Sequence, residues 1–207
     1  MDSGSPSSDS GTTGEASADT GTEAIVDSSS ASDAAPDSST HGDAACNEGG
    51  AGGGTCTSST PPFVSCADLA TPTVSYAADV QPVFNQSCGI AGGTCHGDPN
   101  IDAKTTGQVF LGLPDGGTSA GQVVALLVGQ PSAEDPQMNL VTAGDPAHSF
   151  LMHKLDYDQC LYAAACNATM NAVFANCGIG QPYNSGILDL ATRDTIRRWI
   201  AQGAKDN

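Results

Sequence analysis

The distribution of large apolar side chains restricts folding to one part of this chain. Of its 207 residues, every aromatic one lies at or after Phe63. Residues 1–62 contain ten acidic residues, no basic residue, and only Ile25 and Val26 as large aliphatic side chains. Such a segment buries too little apolar surface to offset a backbone ordering cost of roughly 1–2 kcal/mol per residue. We therefore expect residues 1–62 to be a disordered acidic tether and residues 63–207 to form the folded domain.

The net charge of the chain excludes two classes of partner. The sequence has 23 acidic residues against six basic ones, which gives a net charge of −17. Nucleic acid and anionic membrane surfaces are bound through Lys and Arg side chains, so neither is an expected partner. No run of about 18–20 apolar residues is present, and we expect no membrane span. Residues 63–207 carry 13 acidic and six basic residues, so the net charge of the predicted domain is only −7.

The cysteine count points to an oxidising compartment, to a metal or cofactor site, or to both. There are eight cysteines, at positions 46, 56, 66, 88, 95, 160, 166 and 177. Residues 1–4 read Met-Asp-Ser-Gly and lack the basic and apolar regions of a secretory signal. We expect an export signal upstream of Met1 and a periplasmic or cell-surface location, with a lipid or other anchor preceding the tail. The Gly-rich stretch between Cys46 and Cys56 would allow these two to close a small loop.

Helical periodicity and capping residues predict a small all-α domain with long loops. The clearest helix follows Asp189, a good N-cap, and carries Ile196, Trp199 and Ile200 on one apolar stripe. Further elements are predicted as a helix from about Asp79 to Cys88, a helix from Pro146 to about Leu155, a short helix at Gln122–Val128, and a strand at Val109–Leu113.

The segment that carries the chemical signal is residues 88–96, which reads Cys-Gly-Ile-Ala-Gly-Gly-Thr-Cys-His. In c-type haem attachment, two thiols add to the haem vinyl groups and the adjacent histidine binds the iron. The usual spacing is two residues between the cysteines, and here six residues separate them, with glycines that would let the excess loop out. Two alternatives remain: a Cys88–Cys95 disulfide with His96 at the surface, and a zinc site.

Three blocks of sequence resemble, in order, the helices of small secreted bacterial c-type cytochrome domains. Tyr76–Phe84 leads into the Cys-His segment as the opening helix of that family does. Gly144–Leu155 is similar to its middle helix, and Leu188–Ala204 to its terminal helix. The resemblance covers residues 74–204 and implies a cytochrome c-like, monohaem fold.

The same resemblance implies the roles of individual residues. Cys88 and Cys95 would form the thioether attachments of haem c, and His96 would be the proximal ligand of its iron. The function implied is one-electron transfer to redox partner proteins rather than enzymatic catalysis.

One position departs from the family pattern. The family usually has Met-Pro shortly after a Cys-Gly, and that Met is the sixth iron ligand. Here the corresponding residues are Gln181 and Pro182, and an amide oxygen is a poor partner for ferrous iron. The sixth position would be taken weakly by Gln181, be left open, or be filled by Met170, Met152, His153 or His148. Loss of methionine ligation predicts a lower potential or an open site for small ligands.

The remaining six cysteines are expected to form disulfides, and 15 pairings are compatible with the sequence. A bridge among Cys160, Cys166 and Cys177 would pin the loop that precedes Gln181. Motifs of dinucleotide, phosphate, serine-hydrolase and zinc-protease sites are absent from the sequence. Two other functions stay open: a cofactor-free, disulfide-stabilised secreted binding module, and a haem-based ligand-binding or sensor protein.

Overall fold

The computed structural model of the protein describes residues 56–57, 59–89, 95–100, 108–113, 117–169, 176–183 and 185–207. The predicted tether, residues 1–62, lies almost wholly outside them. Cys56 is buried and forms a disulfide with Cys160, 104 residues further along the chain. The small Cys46–Cys56 loop considered above is therefore not formed, because Cys56 is bonded elsewhere.

The prediction of an all-α, cytochrome c-like domain is wrong for the described residues. They are mostly loop, with 37% of them helical and 4% in strand-like pairing. Four α-helices occur among them, and we number these α1 (Gln81–Ser87), α2 (Ala120–Leu127), α3 (Phe150–Asp156) and α4 (Leu190–Ala201). Three of the four have only seven or eight residues, which is about two turns. Helices this short are not stable on their own, so tertiary contacts must hold the loops and helices together.

The predicted strand at Val109–Leu113 is not formed in the described residues. Strand-type pairing among the described residues takes the form of isolated bridges, which include Val128 with Val141 and Pro131 with Asn139. None of the described helices is long and apolar enough to cross a membrane.

The first helix begins earlier than its sequence pattern indicates. A π-helical turn, Tyr76–Val80, precedes α1 directly. Ser75 is its N-cap and accepts a hydrogen bond from the Ala78 amide, while the Asp79 carboxylate accepts one from the Ser75 amide at 2.8 Å. Asp79 therefore caps the turn from within it, and Ser75 rather than Asp79 marks where the helical segment starts.

The predicted helix from Pro146 to Leu155 is interrupted. A 3-10 turn at Pro146–His148 is followed by extended backbone at Ser149, and α3 begins only at Phe150. The cause is the Ser149 hydroxyl, which accepts a hydrogen bond from the Thr142 amide at 2.9 Å and donates one to the Asp145 carbonyl at 2.8 Å. Hydrogen bonds between a serine side chain and nearby backbone groups often compete with the backbone hydrogen bonds of a helix, and these two do so at Ser149.

The terminal helix α4 is formed as predicted. Asp189 accepts a hydrogen bond from the Thr192 amide at 2.9 Å, and Gly203 takes a positive φ of 101° just beyond the helix end. Trp199 is 1% exposed and lies 5.1 Å, between ring centroids, from Tyr76. Tyr76 in turn meets Phe84 of α1 edge-on at 6.2 Å. This aromatic row joins the end of the chain to the helix that leads into the Cys-His segment.

A buried ion-pair network connects α4 to α3. The Asp156 carboxylate accepts hydrogen bonds from Arg193 at 2.6 Å and from Arg197 at 2.6 and 2.7 Å. All three side chains are almost fully buried. Both guanidinium groups also lie over the Phe63 ring, at 4.7 and 4.5 Å from its centroid. The network fixes the C-terminal end of α3 and ties the start of the folded segment to α4.

We predict that Asp156→Asn strongly destabilises the fold. Removing this carboxylate leaves the buried Arg193 without its counter-charge and Arg197 with Asp194 as its remaining acidic partner, and the free energy of unfolding should fall by about 3–5 kcal/mol. Urea denaturation followed by Trp199 fluorescence measures the change. The control is Asp206→Asn at an exposed acid, which should change stability by less than about 0.5 kcal/mol. Equal stability of the two variants would contradict the structural role assigned to Asp156.

Candidate functional site

The first residue of the candidate site lies at the end of α1. Cys88 is the C-cap residue of this helix, its amide bonds the Phe84 carbonyl at 2.9 Å, and only 5% of it is exposed. Burial, with a smaller contribution from the nearby Cys95 thiol, raises the pKa of Cys88 to about 12. The Cys88 thiol is therefore held as a neutral group within the core side of the site.

His96 is brought directly against this helix end. Its amide donates to the Cys88 carbonyl at 3.0 Å, and its own carbonyl accepts from the Leu111 amide at 2.8 Å. Its Nδ1 lies 2.6 Å from the Val109 carbonyl oxygen. Because that oxygen only accepts hydrogen bonds, Nδ1 must carry the proton, and the lone pair of the neutral ring lies on Nε2.

The electrostatic surroundings favour the neutral imidazole. Burial lowers the pKa of His96, the hydrogen bond to Val109 opposes this, and the Lys154 ammonium lowers the pKa further. A neutral ring with Nδ1 anchored on a carbonyl is the form in which histidine binds a metal through Nε2.

Glycines permit the close packing of the three backbone segments at this site. A Cβ on Gly89 would come within 2.9 Å of the Gly112 carbonyl oxygen, and one on Gly97 within 2.9 Å of the Gly89 carbonyl oxygen. Both distances are shorter than real Cβ contacts. The segments that carry Cys88, His96 and Leu111 thus meet at a spacing that only glycine allows.

The disulfide pattern separates Cys88 and Cys95 from the other described cysteines. Cys56 bonds Cys160, Cys166 bonds Cys177, and Cys66 is disulfide-bonded as well. The predicted bridge among the three late cysteines is confirmed by the Cys166–Cys177 pair. Among the described residues, the free thiols are those of Cys88, which is buried, and Cys95, which is half-buried.

Gln181, which the sequence resemblance suggested as a weak sixth ligand, lies in a loop held by the end of α3. Its amide donates to the Lys154 carbonyl at 2.8 Å, and its side-chain oxygen accepts from the Tyr183 amide at 3.2 Å. Tyr157 supports the same loop, since its hydroxyl donates to the Pro182 carbonyl at 2.9 Å and its ring lies against Gly180.

The other residues considered for the sixth position are already engaged or lie elsewhere. His153 bonds Asp158 through Nδ1 at 2.8 Å and the Ala147 carbonyl through Nε2 at 3.1 Å. His148 is exposed and paired with a neighbouring carboxylate, Met152 is buried in the apolar core, and Met170 lies outside the described residues.

A buried ion pair joins α3 to this loop and was not singled out by sequence reasoning. Lys154 Nζ lies 2.7 Å from Glu134 Oε2 and donates to the Cys177 carbonyl at 2.8 Å. Burial raises the pKa of Glu134 and lowers that of Lys154, and their mutual attraction opposes both shifts. The sequence holds no signal for this pair, because 20 positions separate its members and no motif contains Glu134.

A separate open pocket of about 270 Å³ does not involve the candidate site. Its walls include Asp135, Met138, His148 and Tyr162, and none of the Cys-His residues. Within the described part of the chain, no three His, Cys, Asp or Glu side chains come together as a metal-binding group.

Comparison of the sequence with models of protein families and with curated proteins, and of the fold with solved structures, finds no match.

We predict unequal reactivity of the two free thiols in protein prepared without haem. At about pH 8, iodoacetamide should modify Cys88 at least roughly tenfold more slowly than Cys95, because the thiolate is the nucleophile and Cys88 is buried with a raised pKa. Peptide mass spectrometry over a time course gives the two rates. In urea without reductant both thiols should react alike. Equal rates in the folded protein would contradict the burial of Cys88.

Proposed function

We propose that this protein transfers single electrons through one c-type haem, bound covalently by Cys88 and Cys95, with His96 as the proximal iron ligand. The observation that carries the proposal is the disulfide pattern. The described cysteines outside the Cys-His segment are disulfide-bonded, whereas the two thiols that haem attachment would use are free. A structural disulfide between Cys88 and Cys95 would instead leave neither thiol available for haem attachment.

The geometry around His96 supports the same proposal. The hydrogen bond from Nδ1 to Val109 fixes the tautomer and restrains the ring, and it leaves the lone pair on Nε2 for a metal. The hydrogen bond from the His96 amide to the Cys88 carbonyl holds the backbones of these two residues side by side, although six residues separate the two cysteines. These residues fit a covalently bound haem, which when bound supplies a reversible one-electron couple.

The protein's own contribution is attachment, orientation and exclusion of water. Cys88 and the aromatic row of Tyr76, Phe84 and Trp199 are buried, so the Cys88 end of the attachment segment is shielded from water, whereas Cys95 is half-buried. The disulfides fit an oxidising compartment, and we assign the protein to the periplasm or cell surface, with redox proteins as its partners.

Haem attachment is tested by co-expression with a cytochrome c maturation system. The wild-type protein should be red, and its haem should remain bound after denaturation and acid extraction. Replacing Cys88 and Cys95 together by alanine should abolish covalent haem, and His96→Ala should remove or strongly alter its absorption bands. The controls are the paired replacement of Cys166 and Cys177 by alanine and the variant His148→Ala, which should retain it. A colourless wild-type protein with a Cys88–Cys95 disulfide would instead identify a cofactor-free binding module.

A second candidate function, binding of a small ligand at the haem iron, is favoured by the state of the Gln181 loop. The Gln181 amide oxygen already accepts a hydrogen bond from its own loop, and both His153 nitrogens are engaged. Neither Gln181 nor His153 therefore offers a strong ligand to the sixth position of the haem iron.

We therefore predict that the reduced, haem-loaded protein binds carbon monoxide. Its visible spectrum should shift on addition of the gas, and the oxidised protein should lack a methionine-to-iron charge-transfer band. Gln181→Met is the informative variant, since a thioether there should slow carbon monoxide binding and raise the potential. If the wild-type protein does not bind carbon monoxide and shows the methionine-to-iron band, the sixth position of the iron is not open.

A further inference from the structure

The walls of the open pocket of about 270 Å³ are held in place by the fold itself. One wall is a turn that the bridge of Pro131 with Asn139 closes. Another contains Tyr162, which lies in the chain between Cys160 and Cys166, members of two different disulfides. Walls that are formed without a ligand are typical of sites for small molecules.

Asp135 lines this pocket although only 1% of the residue is exposed. Its Oδ1 accepts a hydrogen bond from the Gln137 amide at 3.0 Å. Among the described residues, no Lys, Arg or His side chain forms an ion pair with it. A buried carboxylate without a counter-charge lowers the stability of a fold, and a cation beside it removes that cost. The pocket therefore gives a positively charged group access to a carboxylate that lacks a partner of opposite charge.

A second carboxylate in this region, that of Asp158, is already engaged. Its Oδ1 lies 2.8 Å from His153 Nδ1, and its Oδ2 accepts from the Phe63 amide at 3.1 Å. Burial raises the pKa of Tyr162, and the carboxylates of Asp158 and Asp135 raise it further. The Tyr162 hydroxyl is therefore neutral and lies in a negative field, which favours a cation in the pocket over an anion.

We propose that this pocket binds a small organic cation of the alkylammonium type, which pairs with Asp135 and packs its methyl or methylene groups against Tyr162 and Met138. Aromatic rings attract such cations, and a thioether adapts its shape to them. A divalent metal ion would require several oxygen ligands, and the described residues form no such group. An anion would require a basic partner, and none of the described lining residues is Lys or Arg.

The proposal is independent of the haem proposal, because none of the Cys-His residues lines this pocket. A chain without haem should bind the cation as well as a haem-loaded one does. Failure of haem attachment would therefore leave this proposal in place, and failure of cation binding would leave the haem proposal in place.

The test titrates the full-length protein with choline as the probe. Calorimetry gives the affinity, and amide NMR shifts should locate the binding at Gln137, Met138, His148 and Tyr162. The neutral analogue of choline, in which a quaternary carbon replaces the nitrogen, should bind at least roughly tenfold more weakly because it carries no charge. Equal affinity for the two compounds, or the absence of saturable shifts at these residues with choline, would overturn the proposal.

Asp135→Asn is the decisive variant, since it keeps an acceptor for the Gln137 amide and removes the charge. Its affinity for choline should fall by roughly tenfold or more. The matched control is Asp206→Asn, which removes the same charge at an exposed position and should bind choline as the wild type does. Equal affinities of these two variants would assign the attraction to the general negative charge of the chain and overturn the site.

A second pair of variants keeps the test decisive if Asp135→Asn does not fold. Tyr162→Leu removes the aromatic ring and should weaken choline binding several-fold, whereas Tyr162→Phe keeps the ring and should retain most of the affinity. Equal binding of choline by the Leu and Phe variants would contradict the role of the ring and overturn the proposed site.

Discussion

The burial of helix α4 is the constraint on which the rest of the described structure depends. Its apolar side, through Trp199, packs against the turn and helix that lead to Cys88. Its arginine side holds Asp156 at the end of α3, two residues after Lys154. One helix thereby sets the positions of the two parts of the candidate site, the Cys-His segment and the Gln181 loop. Short helices and long loops reach a defined arrangement only because both sides of α4 are used.

The same contacts change the charge that the domain presents. Lys154, Arg193 and Arg197 are half of the basic residues in the chain, and all three are buried in ion pairs. The described basic side chains that reach the surface are those of Arg198, which is half-buried, and Lys205. Five acidic side chains are buried as well, namely those of Glu134, Asp135, Asp156, Asp158 and Asp194. Burial among the described residues therefore removes more negative than positive charge, and the surface is less acidic than the sequence count indicates.

A helix could be predicted from the sequence where its capping residue and its apolar stripe alone determine its position. Asp189 and the apolar stripe through Trp199 located α4, because capping and periodicity are both local properties of the sequence. The interruption at Ser149 was not predictable, since it depends on a hydrogen bond from Thr142 that forms only in the fold. The all-α prediction failed for a similar reason: helical blocks were recognised, but the loops between them are held by disulfides and buried polar contacts that no periodicity reveals.

The sequence by itself determined the chemistry available, namely a Cys-His segment with a preceding thiol, glycines around it, and a Gln-Pro pair shortly after Cys177. Tertiary structure decided which thiols are free, because the pairing of Cys56 with Cys160 and of Cys166 with Cys177 depends on proximity in space rather than spacing along the chain. It also decided the tautomer of His96 and the ion pair of Glu134 with Lys154. Both are set by carbonyl and charged partners distant in sequence, which the fold alone brings within hydrogen-bond range.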